Sequence, residues 1–218
     1  MASPINIRSV RDQVYDQMYA LVLDGAWSPG MRIDPSKVAT EFGVSKTPVQ
    51  EAIQKLTQDG LLTVKPRSGT FVTDLDMNAV TELFQFRLAL ETGAAVAIVA
   101  GMTPEVMSKL TEIEAKMCAA IAQGRRSDFL RLDAQFHDTI VAATGNAVIR
   151  AHYGQVNTLA ASSRARRRFD LADFEAALSD HKEILTALKR KDDAAFRAAS
   201  ARHIENAIAK LRRVSGEG

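Results

Sequence analysis

The feature that most restricts the fold is an apolar period of about 3.6 residues running almost unbroken from Asp76 to Arg213. It pauses only at Gly101, Gly124, Gly145 and the turn Lys191-Asp192-Asp193. Amphipathic helices of that length bury their apolar stripes only against one another, so this half of the 218-residue chain is expected to be an antiparallel six-helix bundle. The helices are expected near 77–100, 104–123, 127–144, 146–165, 171–190 and 193–213. Before residue 76 the character differs, with short segments punctuated by Pro and Gly. Two domains of unequal size are expected, 1–75 and 76–218.

Composition removes several alternatives. With 46% hydrophobic and 25% charged residues the chain is neither disordered nor collagen-like. No stretch approaches the roughly 20 apolar residues that span a bilayer, and Met1 to Arg8 lack the apolar core of a signal peptide. A cytoplasmic protein with no membrane partner is expected. The single cysteine, Cys118, makes no internal disulfide, so any metal site must draw on His and carboxylate. The net charge of +2 argues for no particular partner, and residues 1–75 carry eight Lys/Arg against eight Asp/Glu. A nucleic-acid reading must therefore rest on motif and placement.

In the first domain, Val10, Val14, Met18, Leu21 and Val22 recur at helical spacing, and Gly25 with Ser28-Pro29-Gly30 stops that helix. Asp34 as N-cap with Pro35 at the first helical position announces a short helix ending at Gly43. A tight turn, Gly43-Val44-Ser45, leads into a third helix that starts between Ser45 and Pro48 and ends at Gly60. Either Ser45 or Thr47 could cap it, the latter in a Thr47-Pro-Val-Gln50 capping box. Leu61 to Val64 and Thr70 to Val72 then flank the basic turn Lys65-Pro-Arg-Ser-Gly69 as a two-stranded wing.

This order, a helix, a helix-turn-helix and a β wing, can lay the third helix in a major groove with the second across the backbone. The exposed start of the third helix offers Ser45, Lys46, Thr47 and Gln50. Gln50 can bond an adenine edge and Lys46 a guanine or a phosphate. The wing adds Lys65 and Arg67, with Gly69 holding the turn open and no acid between Asp59 and Asp74. A helix pair used only for packing would need neither the caps nor a basic wing.

Gly25-Ala-Trp-Ser-Pro-Gly30, Phe42-Gly-Val-Ser-Lys-Thr-Pro-Val-Gln-Glu-Ala-Ile53 and Asp59-Gly-Leu-Leu62 resemble the winged-helix domain of GntR-type bacterial transcription regulators. The resemblance implies a regulator that binds double-stranded operator DNA. In that family the recognition helix usually reads Ser-Arg-Thr-Pro-Val-Arg-Glu-Ala, and Lys46 and Gln50 stand here in place of the two arginines. A Lys lacks the planar fork of Arg and a Gln prefers adenine, so a different operator sequence is expected.

In the helical half, polar residues interrupt the inward stripes. Phe129, Leu132, Phe136 and Ile140 run beside Asp133 and His137, while His181 falls among Phe174, Leu178, Leu185 and Leu188. His203 lies in the stripe of Phe196, Ala199, Ala207 and Leu211. A buried imidazole left unpaired costs on the order of 1–3 kcal/mol and a carboxylate more. One such histidine reads as a satisfied core residue, but three with a carboxylate call for a common partner, and a divalent metal provides it. Zinc is the first expectation, and nickel, cobalt, manganese or iron also suit the set. Arg87 and Glu91 share a face with Val80, Phe84, Ala94 and Ile98. They read either as a surface ion pair or as a cavity in which the arginine clamps a carboxylate ligand. The run Arg164-Ala-Arg-Arg-Arg168 reads as a solvated helix end, with Arg164 the member able to face a pocket. His152 reads as structural, and Trp27 and Phe42 as packing of the small domain.

Glu82-Leu-Phe-Gln-Phe-Arg-Leu-Ala-Leu-Glu91, Leu132-Asp-Ala-Gln-Phe-His137, Thr144-Gly-Asn146, Asp180-His-Lys-Glu-Ile-Leu185 and Arg202-His-Ile204 are similar to the FCD ligand-sensing domain of the FadR branch, in its smaller VanR-like subgroup. The resemblance implies metal ligation by Asp133, His137, His181 and His203, and an Arg87 that lies beside the carboxylate of an organic-acid effector. A homodimeric repressor controlled by a small carboxylate follows as the expected function. The alternatives are a regulator for which the ion itself is the signal, and a metal-dependent hydrolase or lyase. The attached winged helix and the lack of a general base outside the ligand set weigh against the enzyme.

Overall fold

The computed structural model describes residues 9–165, 167 and 169–215. The N-terminal segment Met1 to Arg8 and two members of the basic run, Arg166 and Arg168, lie outside the described residues. The chain divides into two compact units at Asp74 and Leu75.

In the smaller unit, helix α1 (Val10–Leu23) starts where the Ser9 side chain accepts from the Asp12 amide, and it buries Val14, Met18 and Val22. Those positions repeat every four residues and seat α1 against α3. Helix α2 (Pro35–Phe42) begins at Asp34, whose carboxylate accepts from the Ser36 amide at 2.8 Å, and ends at Gly43. Gly43 takes a φ of 66°, a left-handed conformation that glycine adopts without strain and that lets the chain turn at once into the next helix.

Helix α3 (Lys46–Gln58) has Ser45 at its N-cap, although the Ser45 side chain makes no capping bond. Thr47 lies inside the helix, so the Thr47 to Gln50 capping box does not form. Val49, Ala52, Ile53 and Leu56 face the core, and the Tyr15 hydroxyl donates to Asp59 Oδ2 at 2.6 Å, tying α1 to the end of α3. Trp27 is buried in this core and Phe42 packs against it.

The wing has three strands rather than two. β1 (Arg32–Ile33), β2 (Leu62–Lys65) and β3 (Gly69–Val72) form an antiparallel sheet in the order β1-β3-β2. A two-residue strand carries no readable alternation. β1 exists because Arg32 and Ile33 find Phe71 and Thr70 opposite them, a pairing between positions nearly forty residues apart.

The larger unit holds α4 (Met77–Gly93), α5 (Ala95–Ala100), α6 (Pro104–Ala122), α7 (Arg126–Ala142), α8 (Ala147–Ala165), α9 (Leu171–Lys189) and α10 (Asp193–Ser215). The expected first helix is thus two helices, separated at Ala94, whose φ of −89° and ψ of 3° leave the helical region. Gly93 weakens the helix just before that point, and the Arg197 guanidinium donates to the Thr92 carbonyl at the break. Helix α6 packs on α7 and α9, α8 packs on α7 and α4, and α10 packs on α9, α4 and α5. One apolar cluster centres on Phe129, Phe136, Ile140, Met117 and Phe196. A second joins Val80 and Phe84 of α4 to Ala160 of α8 and to Ile204 and Leu211 of α10.

Gly101 does more than end a helix. A Cβ at that position would overlap the carbonyl of Ala143, so the C-terminal ends of α5 and α7 approach through a gap that only glycine leaves open. Gly101→Ala is expected to destabilise the protein by about 1–3 kcal/mol, read as a lower urea midpoint with unchanged slope. An unaltered midpoint would contradict this packing.

Candidate functional site

Asp133 and His137 sit one turn apart on the inner side of α7, His181 projects from α9 and His203 from α10, all buried. Helix period places each in an apolar stripe, and packing α7, α9 and α10 around one core brings the four together. One donor atom from each lies within 4.8 Å of the others. His137 Nε2 stands 3.2 Å from His181 Nε2 and 3.1 Å from His203 Nε2, and His181 Nε2 is 3.4 Å from Asp133 Oδ1.

Outer carboxylates settle what those nitrogens present. His137 Nδ1 faces Glu91 Oε1 at 3.4 Å and His203 Nδ1 faces Asp180 Oδ2 at 3.4 Å. A proton belongs on the nitrogen that faces an anion, which leaves the Nε2 lone pairs of His137 and His203 free on the side of His181 Nε2. Burial, reinforced by the charge of Arg87, pushes His137 down to about 4, and burial with the neighbouring His203 holds His181 well below its usual value. Both rings are therefore neutral near pH 7, the form that ligates metal.

Asp133 is the remaining donor. The Arg164 guanidinium takes its Oδ2, and among the described residues Oδ1 has no hydrogen-bond partner. Burial opposes its ionisation, but the charge and hydrogen bond of Arg164 outweigh that and hold the carboxyl well below the usual range. The set passes a simple test of fit. With metal–nitrogen distances of about 2.0–2.1 Å, neighbouring donors around one ion stand about 3.0–3.4 Å apart, as three pairs of these atoms do at 3.1, 3.2 and 3.4 Å, and all four donors lie within 4.8 Å of one another. Three imidazoles and a carboxylate suit a divalent cation of intermediate softness.

Beside this cluster lies a second buried pair. Arg87 Nε donates to Glu91 Oε1 at 2.8 Å, and the Tyr153 hydroxyl donates to the same oxygen at 2.7 Å. Both residues are fully buried, so the surface ion-pair reading does not hold. Burial disfavours the Glu91 anion, but Arg87 and His137 outweigh it and keep the carboxyl ionised. Among the described residues, Arg87 Nη1 and Nη2 have no hydrogen-bond partner, and neither has Glu91 Oε2.

Helix α8 supplies residues that periodicity left in the background. Arg164 is buried against Asp133 rather than solvated, Tyr153 holds Glu91, and the Asn157 amide donates to the Ala134 carbonyl at 2.7 Å. Tyr153, Asn157, Ala160 and Arg164 recur at helical spacing, a signal masked by their mixed polarity. His152 is exposed and stands apart from the cluster. In the smaller unit, Ser45, Lys46, Thr47 and Gln50 are exposed at the start of α3. Lys65 and Arg67 are exposed on the wing, and Gly69, with a φ of 120°, closes its turn.

The depressed folded-state values of His137 and His181 carry a prediction for metal-free protein. Unfolded histidine titrates near about 6.5, so between that pH and about 4 the unfolded chain binds the extra proton. Stability from keeping these rings neutral is complete above pH about 6.5 and is lost as pH falls towards 4. Chelated protein is expected to show a falling urea midpoint across that window, and a flat profile would contradict the neutral cluster.

Comparison with known proteins agrees with this division of the chain. Residues 10–72 match the family described as bacterial regulatory proteins, gntR family, and residues 82–206 match the FCD domain. An HTH-type transcriptional regulator of Bacillus subtilis (strain 168), YdhC, is 28% identical over 94% of this chain and 92% of its own. The HTH-type transcriptional repressor RspR of Escherichia coli (strain K12) is 26% identical over 95% of this chain and 91% of its own. The structure of E. coli McbR/YncC superimposes with a TM-score of 0.83 at 23% identity, covering 95% of this chain and 99% of that one, a likeness of fold. These relatives are transcription regulators and not enzymes. A winged helix followed by a helical domain with matches to both families makes this chain a DNA-binding transcriptional regulator of the GntR family, with an FCD domain as its ligand-binding half.

Proposed function

We propose that this regulator holds a divalent metal, zinc first, on Asp133, His137, His181 and His203, and that a small carboxylate bound beside it and on Arg87 sets the affinity for operator DNA. The observation that carries this reading is the fully buried guanidinium of Arg87, with Nη1 and Nη2 unpartnered. Arg87 is separated from the ligand His137 only by the Glu91 carboxylate they share. An ionised fork desolvated on two nitrogens is costly unless an anion completes it, and a carboxylate does so bidentately. The metal, when bound, adds positive charge and open coordination positions for a carboxylate oxygen.

The chain's own residues do the rest. Arg164 fixes Asp133 so that Oδ1 stays free, and Glu91 and Asp180 orient the rings of His137 and His203. Tyr153 keeps Glu91 in place by donating to the oxygen that Arg87 Nε also uses. A cavity lined by Phe129, Phe174, Ala177, Arg164, Asp180 and His203 opens beside one member of the cluster, His203. In the smaller unit, α3 enters the major groove with Ser45, Lys46, Thr47 and Gln50 towards base edges and phosphates, while Lys65, Arg67 and Gly69 carry the wing along the backbone. The active species is a homodimer on a near-palindromic operator, and it represses, as the name of the E. coli relative RspR states for that protein. DNA and effector then alter each other's affinity by the same factor.

The test is thermal stability of metal-loaded and chelated protein with a panel of small carboxylic acids, followed by operator binding with the best of them. A bound carboxylate at a hundredfold excess over its Kd is expected to stabilise by about 2.7 kcal/mol. That gain should vanish on chelation and in Arg87→Ala. A flat panel in loaded protein, or operator affinity indifferent to a saturating ligand, would overturn the reading; operator binding that followed the metal alone would make the ion the signal. Asp180→Asn is expected to weaken zinc binding about 10- to 100-fold in a chelator competition, with the helical content unchanged.

A further inference from the structure

The sheet of the smaller unit has a face that its core leaves free. Ile33, Leu62 and Val72 point inwards and are buried. Arg32 lies directly opposite Phe71, Thr63 also lies opposite Phe71, and Lys65 lies opposite Gly69. Opposed residues on antiparallel strands project to the same side, and alternate residues of one strand share a face. Arg32, Thr63, Lys65, Gly69 and Phe71 therefore make up the outer face, with two cations and no acid.

Two contacts give this face its form. Lys65 Nζ stands over the Phe71 ring, 5.0 Å from its centroid. The guanidinium of Arg32 reaches diagonally to Gly69, where an added Cβ would lie 3.1 Å from Nε and 3.5 Å from Nη2. It is thereby drawn towards the wing turn that presents Arg67. Among the described residues no carboxylate pairs with Arg32, and the side chain is exposed. A guanidinium held close to a glycine on a face with a further cation, beside a turn that carries another, suits an oxygen-rich, regularly spaced anion, and duplex DNA is already the partner of this domain. We infer that Arg32, from the short strand β1, belongs to the DNA-binding surface, gripping the phosphate backbone beside the wing together with Lys65 and Arg67. It reads no base there, so its contribution is the same on every sequence.

The test uses full-length, metal-loaded protein and fluorescence anisotropy against two duplexes, one selected from a random pool by the unaltered protein and one scrambled, over a range of KCl concentrations. Arg32→Ala is expected to weaken binding severalfold on both duplexes and to reduce the slope of log K against log salt by about 1, with Arg32→Lys restoring the slope. Thr63→Lys, which adds a cation to the same face two residues from Lys65 and across Phe71 from Arg32, is expected to steepen the slope by about 1. This variant tests the inference even if Arg32→Ala is unstable. Unchanged slopes in Arg32→Ala and Thr63→Lys would overturn it. A loss of affinity confined to the selected duplex would also do so, by making Arg32 a reader of bases.

Discussion

The helical half of this protein is organised around charge that has been removed from water. Arg87, Glu91, Asp133 and His181 are fully buried, and His137 with them. An ion in such a place is tolerated only when partners at hydrogen-bond distance replace its hydration. The partners come from different helices: Glu91 on α4 meets Tyr153 on α8 and His137 on α7, and Asp133 on α7 meets Arg164 on α8. Each helix therefore has one position along the bundle and one rotation that keep the network whole. Apolar packing alone accepts many arrangements of similar volume, whereas a polar network of this kind accepts few.

The same network explains why binding a ligand can matter at a distance. Atoms that remain without partners, Arg87 Nη1 and Nη2, Glu91 Oε2 and Asp133 Oδ1, mark where the interior is incomplete as protein alone. A cation and an anion completing it, as proposed above, would act on α4, α7, α9 and α10 together, since each contributes a group. A single small event in the interior is thereby shared by most of the bundle.

The winged helix rests on a different principle. Its parts are short and set by local chemistry: a carboxylate cap and proline open α2, a left-handed glycine closes it, and α3 starts after a turn of three residues. The exposed start of α3 costs the core nothing, because Val49, Ala52, Ile53 and Leu56 lie on the opposite side. A polar, exposed surface is what remains of such a helix once its apolar side is used, and it is the surface proposed to face DNA.

Local chemistry is what can be read from one chain, and the sequence by itself determined the cap of α2, the glycine stops and the inward stripes in which residues 133, 137, 181 and 203 fall. These follow from propensities and periods that act within a few residues. The tertiary structure decided what depends on distant partners. Strand β1 exists only because Phe71 and Thr70 lie opposite it. The break at Ala94 forms where Arg197 meets the Thr92 carbonyl. Arg164 looks like one of several arginines at a helix end until α8 packs on α7 and delivers it to Asp133. Arg87 and Glu91 have the spacing of any surface ion pair, and only the packing of α4 against α8 and α10 buries them. Burial and pairing are properties of neighbours far apart in the chain, and spacing along one helix carries no record of them.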